Sequence, residues 1–251
     1  MDFADQTLIV TGANSGIGKA AAELLAKQGA RLVLGARRSE PLDSVANEIE
    51  KEGGHAIAVA GDVGDPDYAA KLVKAAEDHF GSLNGAFNNA GIVGDLAAAE
   101  NMSLPTWEDV LRTNLTSAFL AAKVQIPALK RAGSGTLLFT SSFVGYSNGG
   151  LPGMGAYAAS KAGLIGLVQS LAADHGKDNI RVNAILPGGT MTPMAGDDPD
   201  IHTYISGKHA LGRLAQPAEI ARTALFLLSQ NASFVTGCAM LADGGVSVRF
   251  D

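Results

Sequence analysis

A single cysteine, Cys238, stands in the 251 residues, so the chain forms no internal disulfide, and the apolar segment around it suits packing over thiol chemistry. Charge is scarce too: 18% of residues are Asp, Glu, Lys or Arg, the formal net charge is −6, and no block of like charge occurs. A surface without clustered cations excludes a counterion-displacing binder of nucleic acid or of an anionic membrane. No apolar run reaches the length of a membrane span, and the opening "MDFADQTLIV" lacks the basic, apolar and small-residue parts of a signal sequence, so a cytoplasmic protein is expected. The five histidines show no HxxxH or HExxH spacing, and no metal site is expected. Neither linker composition nor a repeat divides the chain, and one domain over 1–251 is expected.

What is present is a rhythm. Short apolar runs alternate with segments of helical period: "TLIVT" and then 16–28, "RLVLG" and then 39–52, "AIAVA" and then 66–80, "LNGAFN" and then 106–130. The pattern continues through "TLLFTS", a helix over 155–175, "IRVNAIL", a mixed stretch over 189–212, a helix over 217–229 and a last strand at "CAMLA". Strands so continuously apolar are buried on both faces, as in a parallel sheet covered by helices. The fold class expected is α/β: a doubly wound, Rossmann-type parallel sheet of about seven strands with helices on both faces. The stretch 189–212 suits a substrate lid, and "DDPD" at 197–200 suits a solvated turn.

Between the first strand and the first helix lies "TGANSGIG", with Gly12, Gly16 and Gly18. Glycines in this setting permit a tight turn, backbone approach to a pyrophosphate and close helix packing, while the helix N-terminus offers free N–H groups to phosphate. The spacing is GxxxGxG, and a glycine cluster alone is also compatible with a plain turn. Further along stand "GDV" at 61–63, "NNAG" at 88–91, Asn114 in "TNLTS", Ser142 in "FTSSFVG", "YAASK" at 157–161 and "PGGTMT" at 187–192. In this order, across nearly the whole chain, these motifs resemble the classical short-chain dehydrogenase/reductase family.

The resemblance implies a nicotinamide-dependent oxidoreductase acting on a small-molecule carbonyl or alcohol, with ketone reduction the favoured direction. It implies that Tyr157 passes a proton to or from the substrate oxygen, Ser142 holds that oxygen, Lys161 also binds the nicotinamide ribose, and Asn114 holds a water in the proton relay. On the same ground Gly12, Asn14, Ser15, Gly16, Ile17 and Gly18 cradle the dinucleotide, Asp62 and Val63 approach the adenine, and Asn89, Ala90 and Gly91 line the cleft. Pro187, Gly188, Thr190 and Thr192 hold the nicotinamide end, with Thr192 on the carboxamide. The family's usual assembly implies a homotetramer joined through the 155–175 helix and the helix before it.

Chemistry agrees with part of this. Tyr157 and Lys161 are four apart on one helix face. A phenol with an ordinary pKa near ~10 is a poor acid-base catalyst at neutral pH, and a neighbouring ammonium is expected to draw it down. Beyond the second strand, where an NAD-binding site carries an acid for the ribose, the chain has Ala36 followed by Arg37 and Arg38. An arginine suits a 2′-phosphate, so NADP(H) is the preferred cofactor and NAD(H) the admissible one, with Arg37 the main contact and Arg38 the lesser.

Two rival functions fit the residues less well. A non-catalytic sensor or scaffold that binds the dinucleotide conflicts with the intact Ser, Tyr, Lys and Asn set. "GYSNG" at 145–149 matches the hydrolase elbow GxSxG, with Asp174 and His175 downstream, but Ser147 follows its strand by too many residues. Val93, Leu96, Phe143, Leu151, Met154, Met191, Met194, Ile201 and Tyr204 suit an apolar or aromatic ketone, whereas Lys123, Lys130 and Arg131 offer a basic edge for a carrier-protein substrate.

Overall fold

Every strand runs the same way. A computed structural model of the chain describes residues 2–147 and 151–249. In chain order the elements are β1 (Thr7–Thr11), α1 (Gly16–Lys27), β2 (Arg31–Ala36), α2 (Ser39–Lys51), β3 (His55–Ala60), α3 (Tyr68–Phe80) and β4 (Gly85–Asn88). Then follow α4 (Leu104–Leu111), α5 (Ser117–Ala132), β5 (Gly135–Thr140), α6 (Phe143–Tyr146), α7 (Gly155–His175), β6 (Ile180–Pro187), α8 (Pro199–Lys208), α9 (Pro217–Leu228) and β7 (Ala239–Ala242). The seven strands form one parallel sheet in the order β3-β2-β1-β4-β5-β6-β7, the doubly wound architecture expected from the sequence.

Alternation along the strands divides the core into two layers. Leu8, Val10, Leu32 and Leu34 point to one face with Leu25 of α1, Leu42 of α2 and Ile220 of α9. Ile9, Val33 and Phe139 point to the other, against Leu72 of α3, Leu129 of α5 and Leu164 of α7. All these side chains are at most 3% exposed, and each contributes roughly 1.5–3 kcal/mol by leaving water. The strand order reverses beside β1, which parts the crossovers and opens a crevice at the carboxyl ends of β1 and β4.

Two segments differ from the sequence expectation. The helix expected over 106–130 is broken: between α4 and α5 the chain makes a π-helical turn, Arg112–Thr116, with Thr113 and Asn114 buried. Within 189–212, "DDPD" begins a helix where a solvated turn is expected. The Asp198 carboxylate accepts from the N–H groups of Asp200 at 2.9 Å and Ile201 at 3.4 Å, and Pro199 takes the first turn of α8, a side-chain cap with a preformed first residue. No helix among the described residues is long and apolar enough to cross a membrane.

Candidate active site

The carboxyl ends of the strands open into a cleft of about 750 Å³. Of the cofactor and catalytic residues expected from the sequence, all line it except Gly18 and Asn114. These two lie behind the lining. A Cβ on Gly18 would fall 2.2 Å from the Gly12 carbonyl oxygen, so the third glycine is where α1 packs on its own loop. Gly12 has φ +66° and its missing Cβ would meet Asn89 Nδ2 at 3.0 Å. The loop is thus pressed against β4, and no side chain caps the N-terminus of α1 at Ser15, which leaves its amides facing the cleft. A dinucleotide's pyrophosphate fits these residues.

The loop after β4 hangs on one hydroxyl. Thr11 Oγ1 accepts from the N–H groups of Asn89 at 3.0 Å and Ala90 at 3.1 Å, while Asn89 Nδ2 donates to the Thr11 carbonyl at 3.2 Å. Thr140 Oγ1 donates to Asn89 Oδ1 at 3.0 Å. At the end of the cleft beside Arg37, Asp62 Oδ1 accepts from Gly64 N–H at 2.8 Å and Oδ2 pairs with Arg112 at 3.2 Å. The Gly64 bond, with Arg112 and the nearby charge of Arg37, holds this carboxyl below its ordinary range. Arg37 and Arg38 are exposed at the rim, directly after buried Ala36.

Asn114 is fastened in the π-helical turn. Its Oδ1 accepts from Ile92 N–H at 2.9 Å, and its Nδ2 donates to the Ile92 carbonyl at 2.8 Å and to Ser160 Oγ at 3.0 Å. One acceptor position of the amide is left over. Asn114 also lines a separate void of about 20 Å³, shared with Thr11, Asn88, Gln125 and Thr140, room for about one water.

Ser142, at the end of β5, caps α6: its Oγ accepts from Val144 N–H at 3.2 Å. Tyr157 and Lys161 rise from the first two turns of α7, the Lys161 Nζ 5.6 Å from the centre of the Tyr157 ring. That Nζ donates to the Thr140 carbonyl at 2.7 Å, and Ser141 Oγ donates to the Lys161 carbonyl at 2.7 Å. Burial governs both groups in the protein by itself. It pushes the Lys161 ammonium down to about 7 and pushes the Tyr157 phenol up, against a hydrogen bond from Ser142 that favours the phenolate. The downward pull of Lys161 on Tyr157 expected from spacing is not found here: desolvation raises the phenol and the opposing contribution comes from Ser142.

The outer wall is built from loops. Ala97 N–H donates to the Gly153 carbonyl at 3.1 Å, and Ala97 bridges Met154. Val93, Leu151 and Met154 from this pair face Met194 and Ile205 from the stretch that carries α8. Ser147 ends α6, and the rest of the GxSxG pattern, Asn148 and Gly149, lies outside the described residues. His175 is at the opposite end of α7, roughly 30 Å along a helix of this length, and bonds to Asp178 at 3.0 Å. Sequence reasoning missed Thr11, Thr140, Ser141, Ser160 and Arg112. All but Arg112 sit inside quoted motifs, Thr11 in "TGANSGIG", Thr140 and Ser141 in "FTSSFVG" beside Ser142, and Ser160 in "YAASK", where the named catalytic and glycine positions drew the reading.

The comparisons define the class. Residues 12–247 match the family model described as enoyl-(acyl carrier protein) reductase. The chain is 36% identical to a cyclohexanol dehydrogenase of an Acinetobacter species, covering 98% of this chain and 97% of the relative. It is 38% identical to a cis-4-hydroxycyclohexanecarboxylate dehydrogenase of Sinomonas cyclohexanicum, covering 97% of each. Its structure superposes on a short-chain type dehydrogenase/reductase from Mycobacterium marinum with a TM-score of 0.95 and 32% identity, over 99% of this chain and 98% of that one. The chain belongs to the short-chain dehydrogenase/reductase family, and it is an oxidoreductase of CH–OH and carbonyl groups that works with a nicotinamide dinucleotide.

Proposed function

We propose that the protein reduces a compact, uncharged ketone to a secondary alcohol with NADPH, and runs the reverse oxidation with NADP⁺. The observation that carries this reading is the placement of Ser142, Tyr157 and Lys161 in one cleft that ends at Arg37. When bound, the cofactor supplies or accepts the hydride at the substrate carbon. Ser142 holds the substrate oxygen and Tyr157 Oη gives it a proton, which completes the alcohol. Lys161 orients the cofactor's ribose, and Asn114, braced on Ile92, keeps the neighbouring loop in place and lends its spare acceptor to a relay water.

NADP(H) preference is supported by Ala36, where an acid would repel a 2′-phosphate, and by Arg37 beside it. The remaining acid at this end, Asp62, has its charge offset by Arg112. The substrate class is supported by the wall: among the described residues the ionisable side chains that line the cleft are Arg37, Arg38, Asp62, Tyr157 and Lys161, and none belongs to the outer loops. A carboxylate or phosphate placed there would lose water without a partner. The relative named as a cyclohexanol dehydrogenase agrees with a small alicyclic substrate. A carrier-protein substrate has less support, since Lys130 pairs with Asp178 and Arg131 with Glu77, at the end of α5 away from Asn114.

The stretch 189–212 is proposed as the substrate lid, with Met194 and Ile205 its inner surface. A homotetramer is proposed through α5 and α7: Phe119 is 54% exposed on α5, and α7 presents Ala159, Ala162 and Gly166 outward. Light scattering should give four chains for the wild type and fewer for Phe119→Glu. Turnover with NADPH and NADH across alicyclic ketones, keto acids, sugars and acyl thioesters tests the whole reading. Highest kcat/KM is expected for uncharged cyclic ketones with NADPH; best turnover of an anionic substrate would refute it.

A further inference from the structure

His209 follows α8 and is 2% exposed. It is outside every motif, lines no part of the cleft and is absent from the proposed chemistry. Both of its ring nitrogens are nevertheless engaged. Nε2 lies 2.9 Å from the Gly189 amide, and Nδ1 lies 2.8 Å from the Ile205 carbonyl oxygen. The partners fix the protons, because a backbone amide only donates and a carbonyl only accepts. Nε2 is therefore the acceptor and Nδ1 carries the hydrogen: a neutral imidazole in the Nδ1–H form.

The two partners belong to different halves of the site. Gly189 continues the Pro187–Gly188 segment at the end of β6, and Ile205, on α8, lines the outer part of the cleft. The fit around the ring is close. A Cβ on Gly188 would stand 2.8 Å from Nε2, one on Gly189 would stand 2.9 Å from Cε1, and one on Gly244 would stand 3.2 Å from Cδ2. The backbone of His209 is anchored as well, its N–H donating to the Ser206 carbonyl at 3.1 Å and its carbonyl accepting from Arg249 at 3.1 Å.

We propose that His209 is a positioning residue that latches α8 to the Gly188–Gly189 segment, so that the substrate wall is set in register with the nicotinamide end of the cleft. The assignment rests on the ketone-reductase reading of that cleft. His209 touches no reacting atom, so its loss should loosen substrate binding more than it slows the chemical step, the pattern of a lost uniform binding interaction.

The test uses the full chain as wild type, His209→Gln and His209→Leu. Glutamine keeps an amide oxygen for Gly189 N–H and an N–H for Ile205; leucine keeps neither. Hydrogen exchange at the Gly189 amide should accelerate about ten-fold or more in His209→Leu and less in His209→Gln, the scale of one lost hydrogen bond. KM for the best ketone should rise about ten-fold in His209→Leu, with kcat changed less than about three-fold and His209→Gln recovering most of the loss. The ¹⁵N imidazole spectrum of the wild type, with the His209 signals assigned by their loss in His209→Gln, should show the neutral Nδ1–H form. A protonated Nε2, unchanged Gly189 exchange in His209→Leu, or equal losses in kcat and KM without rescue by glutamine would overturn the latch. If His209→Leu fails to fold, the tautomer and the His209→Gln exchange decide. Absence of carbonyl turnover in the wild type would refute the functional reading alone, because the exchange and tautomer measurements do not depend on it.

Discussion

The ammonium of Lys161 and the carbonyl of Thr140 meet at 2.7 Å, which ties the second turn of α7 to the end of the strand that leads to Ser142. The lysine is 2% exposed, and this single bond does not offset what burial costs a charge. Folded, Lys161 titrates at about 7, against 10.5 when ordinary. Between those values the unfolded chain binds more protons, so stability rises with pH; the burial penalty is complete below about pH 7 and is relieved toward the ordinary lysine range. The melting temperature of the cofactor-free wild type, compared with Lys161→Met, should therefore improve from pH 7 to pH 10, by at most about 3 °C per pH unit. A difference that stays constant across that range would show the lysine titrating normally.

Tyr157→Phe removes the hydroxyl proposed to deliver the proton and leaves the ring in place. The expected result is a fall in kcat of about 10²–10⁴-fold, the usual worth of a general acid, with NADPH affinity measured by fluorescence changed less than about three-fold. Equal turnover by both proteins would point to a binding protein without this chemistry.

Cofactor choice should be transferable. Exchanging Ala36→Asp together with Arg37→Ala brings a repelling acid and removes a charge-assisted donor, so the NADPH-to-NADH ratio of kcat/KM should fall about 10–100-fold. Arg112→Ala should act in the same direction but weakly, at most about five-fold, since an exposed ion pair such as Arg112–Asp62 is worth little. An unchanged ratio in the double variant would reassign Arg37 to the solvent.

Asn114→Ala leaves the N–H and carbonyl of Ile92 without their side-chain partner. These groups are half-buried, each lost bond is worth about 0.5–1.5 kcal/mol net, and a melting temperature lower by about 2–8 °C is expected for a chain of this size. Loss of activity with an unchanged melting curve would show that the amide serves the chemistry alone.

Much of this molecule is legible from its residues because parallel strands buried on both faces cannot hide. "TLIVT" and "TLLFT" declare themselves by unbroken runs of apolar residues between threonines, and the four-residue spacing of Tyr157 and Lys161 places them on one helix face. The break at Arg112–Thr116 was not legible, since one extra residue in a turn leaves the apolar period on either side intact; two buried polar residues in succession, Thr113 and Asn114, were the available sign. The cap at Asp198 was legible in principle, as an acid followed by proline, and was masked by the acidic run around it. The electrostatic balance at Tyr157 was beyond sequence reasoning because spacing fixes proximity and says nothing of desolvation. His209 was invisible for a different reason: its ring partners are main-chain groups, which every residue offers alike.

The bridge between Ala97 and Met154 divides the labour of the site. Lys161 is fixed by a hydrogen bond to the end of β5, and its turn of α7 by Ser141 beside it, whereas this wall is fastened loop to loop. Grafting 93–98 together with 151–154, and leaving Ile92 to brace Asn114, should therefore change which ring is accepted while the Lys161–Thr140 bond stays as it is.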